Sequence, residues 1–350
     1  MDITIHQLIK DRNETAIILH IKENPPALEI KDVNGVSVFA TLAYHGLSKA
    51  FEFACSIKEN FSFHESIISG RIGDLSEHLE KNDVNFKSDD GFTPIALAAF
   101  FNHTEIARQL LYEGADPNIK ADNPSMVNAL HAAVARENLD LVQLFLNHNA
   151  DANATQMQGV TPLHSAVKRR NLGLVKLLIT YGADTNLTMA NGDNAGKIAI
   201  EENLADIGTF LEETSNKQPL KEIDKIAWIE IKNKKLLSTK SIGKTAYYIP
   251  GGKRDPGEND TQTLVREIKE ELSVGIVPET IKYMGTYKAQ ADGHTTGIIV
   301  RMTCYTADYA GGLATANEIE ELKWLEYHDY DKISHVDKVI FDHLHFLNRI

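Results

Sequence analysis

The sequence predicts two domains, an all-α solenoid of short repeats followed by an α/β domain. Three observations lead there. An Asp-x-Asn element returns at Asp83, Asp116, Asp151 and Asp184, at intervals of 33, 35 and 33 residues. After Leu220 the apolar pattern changes from helical to alternating. A glycine-rich loop beginning at Gly251 then runs into an amphipathic helix that carries three glutamates. A chain of 350 residues also exceeds one ordinary small domain. The expected division is 1–213 for the repeats, 214–221 for a linker and 222–350 for the second domain.

In the first part each of the last three Asp-x-Asn elements follows an apolar helix end, at Leu110-Leu111, Leu144-Phe145-Leu146 and Leu177-Leu178-Ile179. Units open at Gly91-Phe92-Thr93-Pro94 and Gly159-Val160-Thr161-Pro162, with a degenerate version at Met126-Val127-Asn128-Ala129. Small residues follow, as in Ala96-Leu97-Ala98-Ala99 and Leu130-His131-Ala132-Ala133, and let neighbouring helices approach closely. A turn and two helices per 33 residues, with Thr161-Pro162-Leu163-His164 intact, resembles the ankyrin repeat. A single unit cannot bury its apolar face, so units stack. Ile5 to Ile21 reads as an N-terminal cap and Asp193 to Glu213 as the last unit, giving five or six units with caps. The resemblance implies a protein partner on the concave face. His131 and His164 read as turn-bonding residues, not metal ligands.

Thr214 to Leu220 lacks apolar periodicity and suits a linker. Beyond it, strands are expected at Ile226 to Ile231 with a hairpin partner at Lys234 to Thr239, then at Ile281 to Ala289, Gly297 to Ala307 and Leu322 to Tyr327. Ser334 to Asn348 reads as a closing helix with Val336, Ile340, Leu344 and Leu347 along its apolar side.

Between those strands lies the stretch that carries chemistry. Asn259 or Asp260 can cap a helix over Thr261 to Leu272, whose Leu264, Ile268 and Leu272 form one apolar stripe. Glu267, Glu270 and Glu271 stand at i, i+3 and i+4 on another face. Three carboxylates side by side repel unless a cation sits among them, and hard oxygen donors at this density suit Mg²⁺ or Mn²⁺. The same glutamates also fit a solvated acidic helix face. The full order resembles the Nudix box, G-x5-E-x7-R-E-U-x-E-E-x-G-U with U aliphatic: Gly252, Glu258, Arg266, Glu267, Ile268, Glu270, Glu271 and Val274 match in type and spacing. Ser273 departs from the usual Gly and implies a different helix exit.

This resemblance implies an α/β/α sandwich with a mixed sheet, and hydrolysis of a nucleoside diphosphate linked to another moiety, with Mg²⁺ or Mn²⁺ as cofactor. By position, Glu270 and Glu271 become the principal metal ligands, Glu267 a further ligand or the base, and the Gly251 carbonyl another ligand. Arg266 orients a box carboxylate and Glu258 holds loop to helix. Among Glu318, Glu320 and Glu321, Glu318 is the candidate extra metal ligand. Candidate substrate-binding residues are Lys253, His294 in the Asp292-Gly293-His294-Thr295 loop, and Asp337, which would read a purine edge or cap a helix. Lys232, Lys234, Lys235, Lys240 and Lys244 would meet phosphate or line a solvated hairpin.

Repeats ahead of such a domain also resemble the peroxisomal NADH diphosphatases. The chain's two cysteines are too few for their zinc ribbon, and their post-box Ser-Gln-Pro-Trp-Pro-Phe-Pro run is absent. Gln290 stands where many ADP-ribose hydrolases have Pro. The short domain is instead similar to the MutT-type hydrolases, which implies purine nucleoside triphosphates, oxidised ones included. The alternatives are an NADH or ADP-ribose diphosphatase and a non-catalytic nucleotide-sensing scaffold.

Composition narrows the classes further. Net charge is −13, and the part from Lys221 onward, with 18 basic and 20 acidic residues, carries only −2 of it. The remaining −11 makes the repeats poor partners for a nucleic acid polymer. Cys55 and Cys304, far apart, build no disulfide framework, which fits a cytoplasmic protein. No apolar run reaches membrane-spanning length, so no membrane association is expected.

Overall fold

The computed structural model describes residues 4–215, 221–294 and 298–350. Fourteen helices precede the first strand: α1 Ile5–Lys10, α2 Glu14–Glu23, α3 Val38–Tyr44, α4 Ser48–Ile57, α5 Phe63–Ile68, α6 Leu75–Lys81, α7 Pro94–Phe100, α8 Thr104–Tyr112, α9 Ala129–Ala135, α10 Leu139–Asn147, α11 Pro162–Lys168, α12 Leu172–Thr180, α13 Ala195–Glu201 and α14 Ala205–Ser215. Among the described residues α1 packs with α2, α3 with α4, α5 with α6, α7 with α8 and α13 with α14. The chain divides into two compact units, Met1–Val142 with Ala154–Arg169 and Thr188–Asp193, and Gln143–Asn153 with Arg170–Leu187 and Asn194–Ile350.

In the first unit, α3, α5, α7, α9 and α11 pack one on the next. Ala96, Ala98, Ala99, Ala129, Ala132, Ala133 and Ala166 are buried there, so the row is close because its contact residues are small. The repeated polar residues are its joints. Thr93, Asn128 and Thr161 each cap a helix through the side chain. His131 bonds Asn128 through Nδ1 at 2.7 Å and the Val160 carbonyl of the next turn through Nε2 at 3.2 Å. His164 Nδ1 closes on the Thr161 amide at 3.1 Å. The Asp116 carboxylate accepts from the Asn118 amide at 2.9 Å, and its own amide donates to Asn85 of the preceding repeat at 3.0 Å.

In the second unit, Asp184 repeats that bond to Asn153 at 2.8 Å, and α14 packs on α12 and α13. The expected linker over 214–221 falls for the most part on residues 216–220, outside the described residues, while α14 reaches Ser215 and the first strand starts at Lys221. The strands are β1 Lys221–Trp228, β2 Ile231–Lys232, β3 Lys235–Ser241, β4 Gly275–Ile276, β5 Lys282–Gln290, β6 Ile298–Thr306, β7 Tyr309–Ala310 and β8 Ile319–Leu325. The helices are α15 Asp260–Leu272 and α16 His335–Phe346. Gly297, expected to open β6, lies outside the described residues.

The sheets run β1-β6-β5, β2-β3-β8 and β4-β7. The first is mixed, β1 parallel to β6 and β5 antiparallel to it. Alternation along β1 sets two cores. Ile226 and Trp228 pack with Leu264, Ile268 and Leu272 of α15. Ala227 and Ile229 pack with Val336, Ile340, Phe341 and Leu344 of α16. A sheet between two helices results. Two expectations are corrected. The run from Ile226 to Ile231 is not one strand of a hairpin. It changes partner at Glu230, so β1 joins β6 and only β2 pairs with β3. Leu347 lies past the end of α16 and is exposed.

Candidate active site

The box helix begins where the sequence asks it to. The Asn259 side chain accepts from the Gln262 amide at 2.9 Å and Gln262 returns the bond to the Asn259 amide at 2.9 Å, a reciprocal cap. It ends at Ser273, which takes the left-handed conformation with φ 60° and bonds the Lys269 carbonyl at 3.1 Å. The expectation of a different exit is therefore corrected: Ser occupies the position in the conformation usual for Gly, at the steric cost of a Cβ there.

The three glutamates are not equivalent. Residues four apart lie about 40° from each other around a helix, and adjacent residues about 100°. Glu271 is 8% exposed and the Glu267 side chain 14%, whereas the Glu270 side chain is 51% exposed. Glu267 and Glu271 face the Gly251-Gly252 loop. The Gly251 amide donates to Glu271 Oε2 at 3.0 Å. Gly251 has φ 138°, and a Cβ there would overlap the Ile226 carbonyl oxygen of β1; a Cβ on Gly252 would overlap the Glu267 carboxylate. The two glycines let the backbone lie directly between strand and carboxylates.

Arg266 ties these parts together. Its Nε and Nη2 hold both Glu258 oxygens at 2.7 and 2.8 Å, Nη2 also reaches the Lys253 carbonyl at 3.0 Å, and Nη1 reaches Glu267 at 2.8 Å and Glu270 at 3.4 Å. Glu258 also accepts from the Asp255 amide and Thr263 Oγ1, both at 2.9 Å. Arg266 foremost, with these donors, brings the Glu258 carboxyl down to about 2. Burial pushes Glu271 up to about 8, the Gly251 amide offsetting part of this and Glu267 and Glu318 adding repulsion. Burial also raises Glu267, against Arg266. The site stores like charge in a poorly solvated place, an arrangement a cation relieves.

Among the described residues no three His, Cys, Asp or Glu side chains converge as a ready metal cage. Glu267 is turned to Arg266 and Glu271 to Gly251. The donors are hard oxygens of the type a divalent cation takes, but several are engaged within the protein. Glu318 is exposed on the loop before β8, and its charge is felt by both Glu267 and Glu271. Glu320 and Glu321 instead pair with Lys240, at 3.7 and 3.0 Å, and Glu321 also accepts from Tyr247.

Asp337 is fully buried in the first turn of α16. Its Oδ2 accepts from Ser334 Oγ at 2.8 Å and the Ile249 amide at 3.4 Å, while Oδ1 has no hydrogen-bond partner among the described residues. Burial pushes its carboxyl up to about 7, against Ser334 and Lys225. Asp337 thus braces the helix start and also keeps an uncommitted oxygen. His335 pairs with Asp292 at 2.8 Å, joining that loop to the start of α16. His294 is exposed on the same loop and Lys253 is exposed beside Gly252, with no substrate contact drawn for either by the fold alone. Of the hairpin lysines, Lys234 bonds Asn348 and Lys235 pairs with Glu326.

Sequence reasoning missed two residues. Lys225 of β1 acts electrostatically on both Glu271 and Asp337, which links the two buried carboxyls. Arg254 reaches Asp224 and Asp260. Lys225 lies one residue ahead of the strand expected from Ile226, in the charged run Glu222-Ile223-Asp224-Lys225, so the strand would have had to be extended backwards to place it; the partner of Arg254, 30 residues away, has no local signal.

Residues 222–344 match the model of the NUDIX domain, residues 90–122 that of the ankyrin repeat, and residues 130–218 that of ankyrin repeats in three copies. The chain therefore carries ankyrin repeats followed by a C-terminal NUDIX domain, a type of domain that hydrolyses nucleoside diphosphate-linked compounds and generally uses a divalent metal. The curated relatives resemble the repeats. The DNA-binding protein RFXANK of Homo sapiens is 42% identical over 65 residues, 18% of this chain and 25% of that protein. The ankyrin repeat protein FPV014 of Fowlpox virus (strain NVSL) is 37% identical over 89 residues, 25% of this chain and 20% of that protein. FPV024 of the same virus is 34% identical over 94 residues, 26% of this chain and 15% of that protein. The chain spans a quarter or less of the length of these relatives.

Proposed function

We propose that the chain is a Mg²⁺- or Mn²⁺-dependent hydrolase of the diphosphate bond in purine nucleoside triphosphates, oxidised ones included, with its repeats as a protein-interaction module. The domains are taken as 1–213 and 222–350, joined by 214–221. The observation that carries the reading is the box itself: Glu271 buried against the Gly251 amide, with Glu267 beside it and held by Arg266.

In this reading Glu267, Glu270 and Glu271, with the Gly251 carbonyl and Glu318, hold the cation. When bound, it neutralises phosphate charge and lowers the pKa of water. Glu267 is either a further ligand of the cation or the base that takes the proton from the attacking water. Arg266 keeps Glu267 in place and closes the loop onto the helix. Lys253 and Lys225 supply positive charge near the phosphates, and Asp337, with His294 on the neighbouring loop, meets the base. A neutral carboxyl at Asp337 can donate to a ring acceptor and an ionised one can accept from ring N–H.

The charge of −11 carried by the chain before Lys221 supports a protein partner over a nucleic acid polymer. Among the described residues no helix is long and apolar enough to cross a membrane, and the free thiols Cys55 and Cys304 favour the cytoplasm. The test is a panel of purine and pyrimidine triphosphates, NADH and ADP-ribose with the wild type and Asp337→Ala. The purine triphosphates should lead in kcat/KM, and the variant should lose about tenfold or more on purines and little on pyrimidines. Efficient cleavage of NADH or ADP-ribose with the triphosphates inert would reverse the assignment.

A further inference from the structure

We propose that Arg254 is a positioning residue for the carboxylate site, holding the Gly251–Glu258 loop against β1 and the start of α15. Of the loop residues between Gly252 and Glu258, Lys253, Asp255, Pro256 and Gly257 are exposed and only Arg254 is half-buried. Its guanidinium spans two elements. Nε and Nη2 bond Asp260 Oδ1 at 3.1 and 2.8 Å, and Nη1 bonds Asp224 of β1. Both partners are fixed in turn. Asp260, the first residue of α15, also accepts from Tyr305 Oη of β6, and Asp224 accepts from Arg301 Nη1 of β6 at 3.2 Å. A chain of alternating charges therefore runs from the sheet through Arg254 to the helix.

Arg266 grips the same loop from the other side, at the Lys253 carbonyl and Glu258. Residues 251 and 252, between loop and strand, have no side chain to hold them. Their place decides whether the Gly251 amide meets Glu271 and how close the backbone lies to Glu267. A planar guanidinium can hold two carboxylates at fixed angles, which a lysine ammonium cannot. Displacements of about 1 Å at such a site are enough to cost large factors. The carboxylates Arg254 bonds are Asp224 and Asp260, outside the proposed metal set, so its effect passes through the loop.

The inference rests on the cation-binding reading of Glu267 and Glu271, and the test separates the two. Mn²⁺ alone is titrated into the full chain, free Mn²⁺ being read by electron paramagnetic resonance, with melting of the metal-free protein measured alongside. Arg254→Ala should weaken Mn²⁺ binding about tenfold or more. Arg254→Lys should stay nearly as weak, and Asp224→Asn, which keeps volume and removes one partner, should weaken it less. The double variant Arg254→Ala with Asp224→Asn should be no worse than Arg254→Ala alone. All should melt within a few degrees of the wild type. Wild-type affinity in Arg254→Ala, or losses that track melting and are restored by Arg254→Lys, would overturn the positioning role alone. No Mn²⁺ binding by the wild type would overturn the cation site as well.

Discussion

The repeats and the NUDIX domain both bury polar side chains, and they treat them in opposite ways. In the repeats a buried polar residue is a joint: His131 and His164 are spent on turn atoms, and Thr93 and Thr161 cap helices. Asn128 caps one as well, with only its Nδ2 left without a partner. These groups are neutral or local, and they stabilise the fold by satisfying the backbone. In the NUDIX domain the buried groups include, beside hydroxyls such as Ser238 and Thr263, acids whose carboxyls burial raises. Glu271 and Asp337 sit at about 8 and about 7, pushed up by burial, with Asp337 Oδ1 unbonded. An acid kept in such a place costs stability, and a ligand offsets that cost. In the proposed function the difference separates residues that build from residues that meet a ligand.

The sharpest way to break this contrast is Glu271→Gln. Hydrolysis should fall by about a thousandfold or more, because a metal site needs charge as well as oxygen. The metal-free variant should melt at or above the wild type near neutral pH, since an acid that burial disfavours is replaced by a neutral amide of the same shape. A lower melting temperature would make Glu271 a structural joint after all.

A second way uses pH. Folded Asp337 holds its proton up to about 7, while in the unfolded chain it ionises near its ordinary value of 3.8. Between those values the folded state binds more protons, so stability is full below about pH 4 and falls as pH rises through 7. The loss has an upper figure of about 4 kcal/mol, at 1.4 kcal/mol per pH unit. Asp337→Asn should flatten that slope in urea titrations at pH 5 and pH 8; an unchanged slope would show that the acid is ionised when folded.

On the side of the repeats, His164→Ala should cost about 1–3 kcal/mol of unfolding free energy by leaving turn groups unbonded, and should leave kcat/KM within about twofold. Loss of turnover without loss of stability would erase the distinction between the two regions. The smallest effect is expected from removing residues 1–220: the remaining 221–350 should fold and retain kcat/KM within about threefold. An inactive but folded fragment would point to a contribution from the repeats.

What was legible in the sequence follows the same line. The Thr-Pro-Leu-His turn and the box helix are local, so their spacing carries their structure; the cap at Asn259 and the stripe of Leu264, Ile268 and Leu272 appear as read. The inequality of Glu270 and Glu271 is also local, a matter of helical angle, but needs the neighbouring loop to show which face is buried. The split of Ile226 to Ile231 between two sheets, the isolation of Asp337 Oδ1 and the bridge from Arg254 to Asp224 depend on strand pairing across long separations. No window of residues contains them. Ser273 shows a third case, a residue whose type argues against a conformation that the surrounding structure imposes.

In the proposed function the box glutamates form a working cation site for nucleotide hydrolysis. Its most direct test is single-turnover release of phosphate or pyrophosphate from a purine nucleoside triphosphate by the full chain, with Mg²⁺ or Mn²⁺ and with the metal chelated, beside Glu271→Gln. Metal-dependent release by the wild type is expected, with none in chelator and none from the variant. Release that survives chelation, or a variant as fast as the wild type, would contradict it.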